Sequence, residues 1–189
     1  KDLARAARVS EALLYKHFPS KDSLYEAMRE DCKKQPAFIE YSRIMAREAS
    51  AQTLVLLVHF LISHFVYNAS VLDKLVARSL IEDGEFVRMM LGQFADNWVA
   101  KFSDCLTAAR KSGELRHNRV RGDLSCWFVH HVAMSLMLHL HPKPPPLNYR
   151  VSKQVLVQQA VWFALLGAGL EEDAIVRYYK PKTLKLARK

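Results

Sequence analysis

Residues 7–28 read ARVSEALLYKHFPSKDSLYEAM, and this stretch decides the fold. Serine side chains accept hydrogen bonds from the free N–H groups at a helix start, so Ser10 and Ser20 each mark an N-cap. Between them EALLYKHF carries no helix breaker, and Pro19-Ser20 closes it. Beyond Ser20, Leu24 and Met28 recur at i, i+4 in a longer helix. Ahead of Ser10, KDLARAA sets Leu3, Ala4 and Ala7 on one side of a helix with charges on the other, and RVS breaks it. Three helices joined by short turns therefore fit within residues 1–34. The middle one is too brief to be stable alone in water, so something besides its own hydrogen bonds must justify it.

Working outward, residues 35–47 read as a helix with Pro36 in its first turn. Leu54, Leu57, Val58, Leu61, Ile62 and Phe65 recur as one stripe of an amphipathic helix. SVLDKLVARSLIED forms another, ending near Gly84. Phe86, Met90, Phe94, Trp98 and Phe102 drift along one face of a long helix that Gly113 caps. A helix over 123–140 is stopped by HPKPPP, and Ser152 caps a last one reaching position 170. The expectation is an all-α chain of about nine helices, with no strand and no internal repeat. It divides into a helix-turn-helix domain over 1–34 and a larger helical domain over 35–189.

Composition narrows the function. The chain has 189 residues, 50% of them hydrophobic, enough for a sizeable core. Six glycines and seven prolines leave long stretches unbroken, in keeping with helix. Three scattered cysteines, Cys32, Cys105 and Cys126, make neither a zinc spacing nor a disulfide framework, which points to a reducing, cytoplasmic compartment. The apolar runs TLVLLVHFLISHFVY and LSCWFVHHVAMSLMLHL carry histidines, and the first is too short to span a bilayer, so no membrane partner is expected. The chain opens on Lys-Asp-Leu without an initiator Met, inside what reads as a helix, and the expectation is that residues precede it. There is no Gly-rich phosphate loop, no nucleophile elbow and no HExxH, so no catalytic residue and no cofactor is expected. The eight histidines offer no ligand set: His59 and His64 do not share a helical face, and no carboxylate accompanies His139 and His141.

The net charge is +9, which favours a polyanionic partner. Residues 1–34 hold eight basic and six acidic side chains. Residues 177–189 hold six basic and no acidic ones and read as a solvated end, with a second nucleic-acid contact as the lesser reading. Two helices joined by a tight turn, the second presented outward, are the parts of a helix-turn-helix. Small Ala4 and Ala7 let the first helix cross closely over the second, Val9 and Leu14 face the shared core, and Phe18 closes the end. Glu11, Ala12, Leu13, Tyr15, Lys16 and His17 are left for a DNA groove and its walls. A Tyr hydroxyl, a Lys ammonium and a His ring all donate to phosphate oxygens. Lys21 lies in the first turn of the next helix, where free N–H groups and the helix dipole favour an anion.

The string DLARAARVSEALLYKHFPSKDSLYEAM resembles the DNA-binding segment of the TetR/AcrR family of transcriptional regulators, whose pattern runs IA…AGVS…LYxHFxSKxxL. Leu3-Ala4, Ala7, Val9-Ser10, Leu14-Tyr15, His17-Phe18, Ser20-Lys21 and Leu24 match. The resemblance implies that Tyr15, His17 and Lys21 hold phosphates while Ser10, Glu11, Ala12, Leu13 and Lys16 face the groove of a double-stranded operator. It also implies a homodimer on the last two long helices and a small-molecule pocket among the middle ones. Two positions depart from the pattern. Arg8 stands where the family has Gly, and Leu13 stands where a small hydroxyl residue is common.

Met89, Met90, Phe94, Trp98, Phe102, Trp127, His131 and Met134 can line an apolar, adaptable cavity. Trp98, Phe102 and Met134 are the expected contacts of an apolar or aromatic effector. The helices over 123–140 and 151–170 are apolar on more than one face, which suits a four-helix bundle across a two-fold axis. Ala160, Ala164, Gly167 and Ala168 would allow close approach there. The expected function is a ligand-responsive repressor. The alternative is a small-molecule-binding helical protein of the same fold with no operator function.

Overall fold

A computed structural model describes residues 2–68 and 70–181, with the side chains of Asp2, Leu3, Ala6, Leu91, Gln93 and Phe94 left aside. The expectations for Leu3, Phe94 and the basic residues of 182–189 lie outside what is described. Ten α-helices run through the described residues with no named strand: α1 (Asp2–Ala7), α2 (Glu11–His17), α3 (Lys21–Lys33), α4 (Pro36–Met45), α5 (Ala51–Tyr67), α6 (Val71–Ile81), α7 (Glu85–Lys111), α8 (Gly122–Leu140), α9 (Lys153–Ala168) and α10 (Glu172–Tyr178). The chain divides into two compact units, the first ending at Ile39 and the second beginning at Glu40. The division thus falls inside α4, five residues later than the sequence boundary at 34/35.

α5 is the hub of the larger unit and packs against α7, α8, α9 and α10. Leu54, Val55, Leu57, Val58, Ile62 and Val66 are all fully buried. Thr53, His59, Phe60 and Ser63 are buried as well, so buried residues face every direction around the axis and α5 is a central core helix, where the sequence suggested one apolar stripe. Thr53 Oγ1 donates to Glu48 O at 2.7 Å, and the His59 ring lies 3.5 Å from Ser63 Oγ and 3.4 Å from the Tyr179 hydroxyl, whereas the buried Nδ1 of His64 has no hydrogen-bond partner among the described residues. The last carbonyls of a helix have no partner within it. Here His141 Nε2 lies 2.9 Å from Phe65 O, and Lys153 Nζ donates to Val66 O at 3.2 Å.

α7 buries Phe86, Trp98, Phe102, Cys105 and Ala109, with Met90 half-buried between the first two. Its C-cap is Ser112, and Gly113 is the left-handed residue that follows, φ +73°. Gly113 and Glu114 N–H groups return to Arg110 O and Ala109 O at 3.1 and 2.8 Å, closing the helix as the Gly predicted, one place later. The chain then crosses the end of α9. Leu115 pairs with Leu170 in an antiparallel bridge, Arg116 Nη2 donates to Leu166 O at 2.6 Å and Asn118 Nδ2 to Gly167 O at 3.1 Å.

α10 is the helix that periodicity missed. Seven residues leave too little room for a period, yet Glu172 and Asp173 in its first turn and Arg177 in its last suit the helix dipole. Ala174 and Ile175 are buried, and Arg177 and Tyr178 both donate to Glu114 Oε1, at 3.0 and 2.7 Å. The larger unit also holds a partly buried ionisable pair. His64 Nε2 lies 3.1 Å from Asp73 Oδ2, which also accepts from Ser70 N–H and Ser70 Oγ. Burial alone would raise the Asp73 carboxyl. The hydrogen bonds from His64 and Ser70 together outweigh it and hold the group below its usual value. This carboxylate is the N-terminal capping box of α6.

Candidate nucleic-acid interface

The geometry begins with two turns. Arg8 has φ +56°, in the left-handed region that favours glycine. Its N–H returns to Arg5 O at 3.1 Å, and the Val9 N–H returns to Ala4 O at 3.0 Å, so α1 ends as helices with a C-terminal Gly end, with Arg in the glycine position. A Cβ in that conformation costs about 1 kcal/mol relative to Gly. Ser10, extended at φ −72° and ψ 152°, then caps α2 through a 3.1 Å bond from Leu13 N–H. At the other end the Phe18 N–H returns to Leu14 O at 2.8 Å. α3 starts on a reciprocal box: Ser23 N–H donates to Ser20 Oγ and Ser20 N–H to Ser23 Oγ, both at 3.1 Å.

These caps set the rotation of α2. Ala4 is 3% exposed, and Val9, Leu14 and Phe18 are half-buried. Ala7, expected beside Ala4 on the inner side, is exposed, because Arg8 turns the chain away just after it. Glu11, Ala12, Leu13, Tyr15, Lys16 and His17 are all exposed, Tyr15 at 59% and Leu13 at 42%. Leu14 is thus the one residue of α2 turned inward. Ser10 is exposed too, but its oxygen is committed to the cap. Lys21 is exposed in the first turn of α3, its ammonium 5.3 Å from the centre of the Tyr25 ring. Asp22 shares that turn, and the Ser23 N–H is already bonded to Ser20, so the α3 start is a weaker anion site than the sequence suggested. Arg8 is itself exposed and adds a guanidinium beside the start of α2.

The expected effector contacts lie in the larger unit. Trp98, Phe102 and Met134 are buried, with the Trp98 and Phe102 ring centroids 6.3 Å apart. The Trp98 indole N–H has the Cys126 sulfur as its polar neighbour, a weak acceptor. Burial pushes the Cys126 thiol and the Tyr41 hydroxyl each up to about 12, so both stay protonated at neutral pH. Met89, Met90 and Trp127 are half-buried, whereas His131 is exposed and faces away from any interior cavity. A groove of about 400 Å³ instead opens between α4 and α7, lined by Tyr41, Ser42, Met45, Asn97, Lys101 and Asp104 with Ala100. The Tyr41 ring on its floor packs 6.1 Å from Phe60 and 6.3 Å from Trp98, so the groove lies against the expected aromatic cluster. Sequence reading missed it because Asn97, Lys101 and Asp104 at i, i+4 and i+7 look like an ordinary solvated face. The Lys101 ammonium is committed to the Arg47 carbonyl beyond the end of α4.

A short, doubly capped helix with one side chain turned in and six turned out, preceded by a helix and a tight turn, defines a helix-turn-helix protein. Residues 1–28 match the family model for bacterial regulatory proteins of the tetR family. The match covers 28 of the 189 residues and supports a DNA-binding transcriptional regulator of that family. Neither the curated proteins nor the solved structures contain a match to it. No single described helix is long and apolar enough to cross a membrane.

Proposed function

We propose that the protein is a dimeric repressor that a small molecule releases from its operator. The observation carrying this reading is the bare outer face of α2. Ser10 caps the helix, Leu14 turns inward, and Glu11, Ala12, Leu13, Tyr15, Lys16 and His17 are exposed. Tyr15, His17 and Lys21 take phosphate oxygens and fix register; Ser10, Glu11, Ala12, Leu13 and Lys16 enter the major groove. Leu13, without a hydroxyl, suits the methyl group of thymine. Two copies place two α2 helices on half-sites about one helical turn, or a multiple of it, apart.

The dimer forms on α8 and α9. The outward row of α8 is Leu124, Phe128, His131, Ser135 and Leu138, and that of α9 is Val155, Gln159, Phe163 and Gly167. Phe128 and Phe163 are 54% and 68% exposed, large apolar surfaces that a second copy would cover. Of the small residues expected there, Gly167 is exposed and Ala160 half-buried, while Ala164 and Ala168 pack inside the subunit. The effector is an apolar or aromatic molecule seated in the groove between α4 and α7, with Trp98 and Phe102 behind Tyr41. Occupancy there changes the spacing of the two reading helices, a coupling of about 1–3 kcal/mol.

A salt titration tests the regulator reading. Binding to a random duplex and to the DNA upstream of the protein's own gene is measured as salt rises. A steep salt slope and a preference well beyond about tenfold for the upstream DNA is the expected result. Equal binding to both leaves a small-molecule-binding protein without operator function.

A further inference from the structure

The outward face of α8 and α9 is an uncharged island on a chain of net charge +9. Positions 124–140 contain no Asp, Glu, Lys or Arg, and positions 151–170 contain only Lys153. The Lys153 ammonium is held by Val66 O at 3.2 Å. Gly167 leaves open space where a side chain would stand, four positions from the protruding Phe163. A two-fold axis can bring such a knob and hollow together, since each copy offers both. Nothing on this face offers a charged partner to a foreign protein, so a second copy of this chain is the occupant the chemistry fits.

Two histidines of α8 stand at this face, and His139, at its end, has Nδ1 2.7 Å from Ser135 O. His131 sits in the middle of the α8 row, exposed to solvent. Its ring lies 6.4 Å from Trp127 at 27° and 5.8 Å from His130 at 68°. Among the described residues no carboxylate is bonded to it. On the α5 side, Phe65 meets His130 at 6.1 Å, and the nearby His64 already occupies Asp73. From α9 the only charge is Lys153, which is of like sign. Among the described residues of α7, no charged side chain forms a hydrogen bond or ion pair with it. Histidine changes charge between pH 5 and 8, and a charge withdrawn from water without a partner is strongly disfavoured.

We propose that protonation of His131 gates the association of two copies: the neutral imidazole is accepted in the α8–α9 interface, and the imidazolium, finding no carboxylate there, separates them. The inference rests on the dimer reading above and adds a proton as a second effector. Both copies contribute, so the effect enters twice. Because two reading helices are needed for a two-fold operator, acid then weakens DNA binding through loss of the dimer.

The test is sedimentation equilibrium of the full chain at about pH 8 and about pH 5.5, with circular dichroism to confirm that helix content is kept. The dimer dissociation constant is expected to rise at least about tenfold at the acid pH, and His131→Gln to remove most of that rise. A wild-type dimer of equal strength at both pH values overturns this inference alone. So does an acid weakening that survives His131→Gln and disappears in His130→Phe. A monomer at both pH values overturns the dimer reading and this inference with it.

Discussion

The Ser10 hydroxyl accepts a 3.1 Å hydrogen bond from the Leu13 N–H, so one contact sets both where α2 starts and where Leu13 stands. Ser10→Ala should lower folding stability by about 1 kcal/mol and weaken binding to every DNA sequence alike. Ser10→Asp keeps a cap but adds an anion, so it should keep stability and still lose affinity. Paired thermal melts and DNA titrations check both; an Asp variant with full affinity would take Ser10 away from the duplex.

Tyr15 and Leu13 should fail differently. Tyr15→Phe removes a hydroxyl that reaches a phosphate, so affinity should fall by a similar factor on all sequences. Leu13→Ala should alter which bases are preferred, because an apolar contact to a thymine methyl carries sequence information. Selection from a randomised duplex pool reads both, and a changed base preference in Tyr15→Phe would exchange the roles.

Arg8 occupies the left-handed position at φ +56°. Arg8→Gly should therefore raise stability by about 0.5–1 kcal/mol, since relief of the Cβ clash exceeds the added freedom of the unfolded chain. If the guanidinium also neutralises a phosphate, the salt slope of DNA binding should fall by about 1 in the same variant. Denaturant melts and a salt titration measure the two effects separately.

Burial, with a smaller contribution from the neighbouring His131, lowers the His130 imidazole to about 4. The folded pKa lies below that of an unfolded histidine, so the unfolded chain takes up the proton first. Stability is full above about pH 6.5 and falls as pH drops towards about 4, by about 3 kcal/mol for this group. The lowered Asp73 carboxyl acts in the same direction at lower pH. Urea melts across this range should show the slope, and His130→Phe should flatten its upper part.

Phe163 is the most exposed large apolar side chain of α9. Phe163→Glu places charge on the uncharged face and should yield a well-folded monomer with much weaker operator binding. Light scattering and circular dichroism check it; an unchanged dimer would move the interface elsewhere.

Much of the fold was legible because its signals are local. Ser10, Ser20 and Ser152, the caps the sequence marked, each accept from the N–H three places on, and Ser50 and Ser70 do the same for α5 and α6. The outward set on α2 followed from a single inward residue, Leu14. What stayed hidden depends on distant contacts. α5 read as one-sided because its period shows which residues are apolar, and not that four helices surround it. The groove between α4 and α7 uses Tyr41 from one element and Asn97, Lys101 and Asp104 from another, a meeting no spacing announces. Ala164 and Ala168 looked like residues for close approach between copies, but only the rotation of α9 tells that they point inward.

The position of α5 has a consequence for synthesis. Its carbonyl ends wait for His141 and Lys153, and its flanks wait for α8, α9 and α10, all of which leave the ribosome later. At about 5–20 residues per second, the interval between the end of α5 and the start of α9 lasts roughly 4–17 seconds. For that time the most apolar described helix has only part of its cover, the kind of transiently exposed apolar surface that holding chaperones shield.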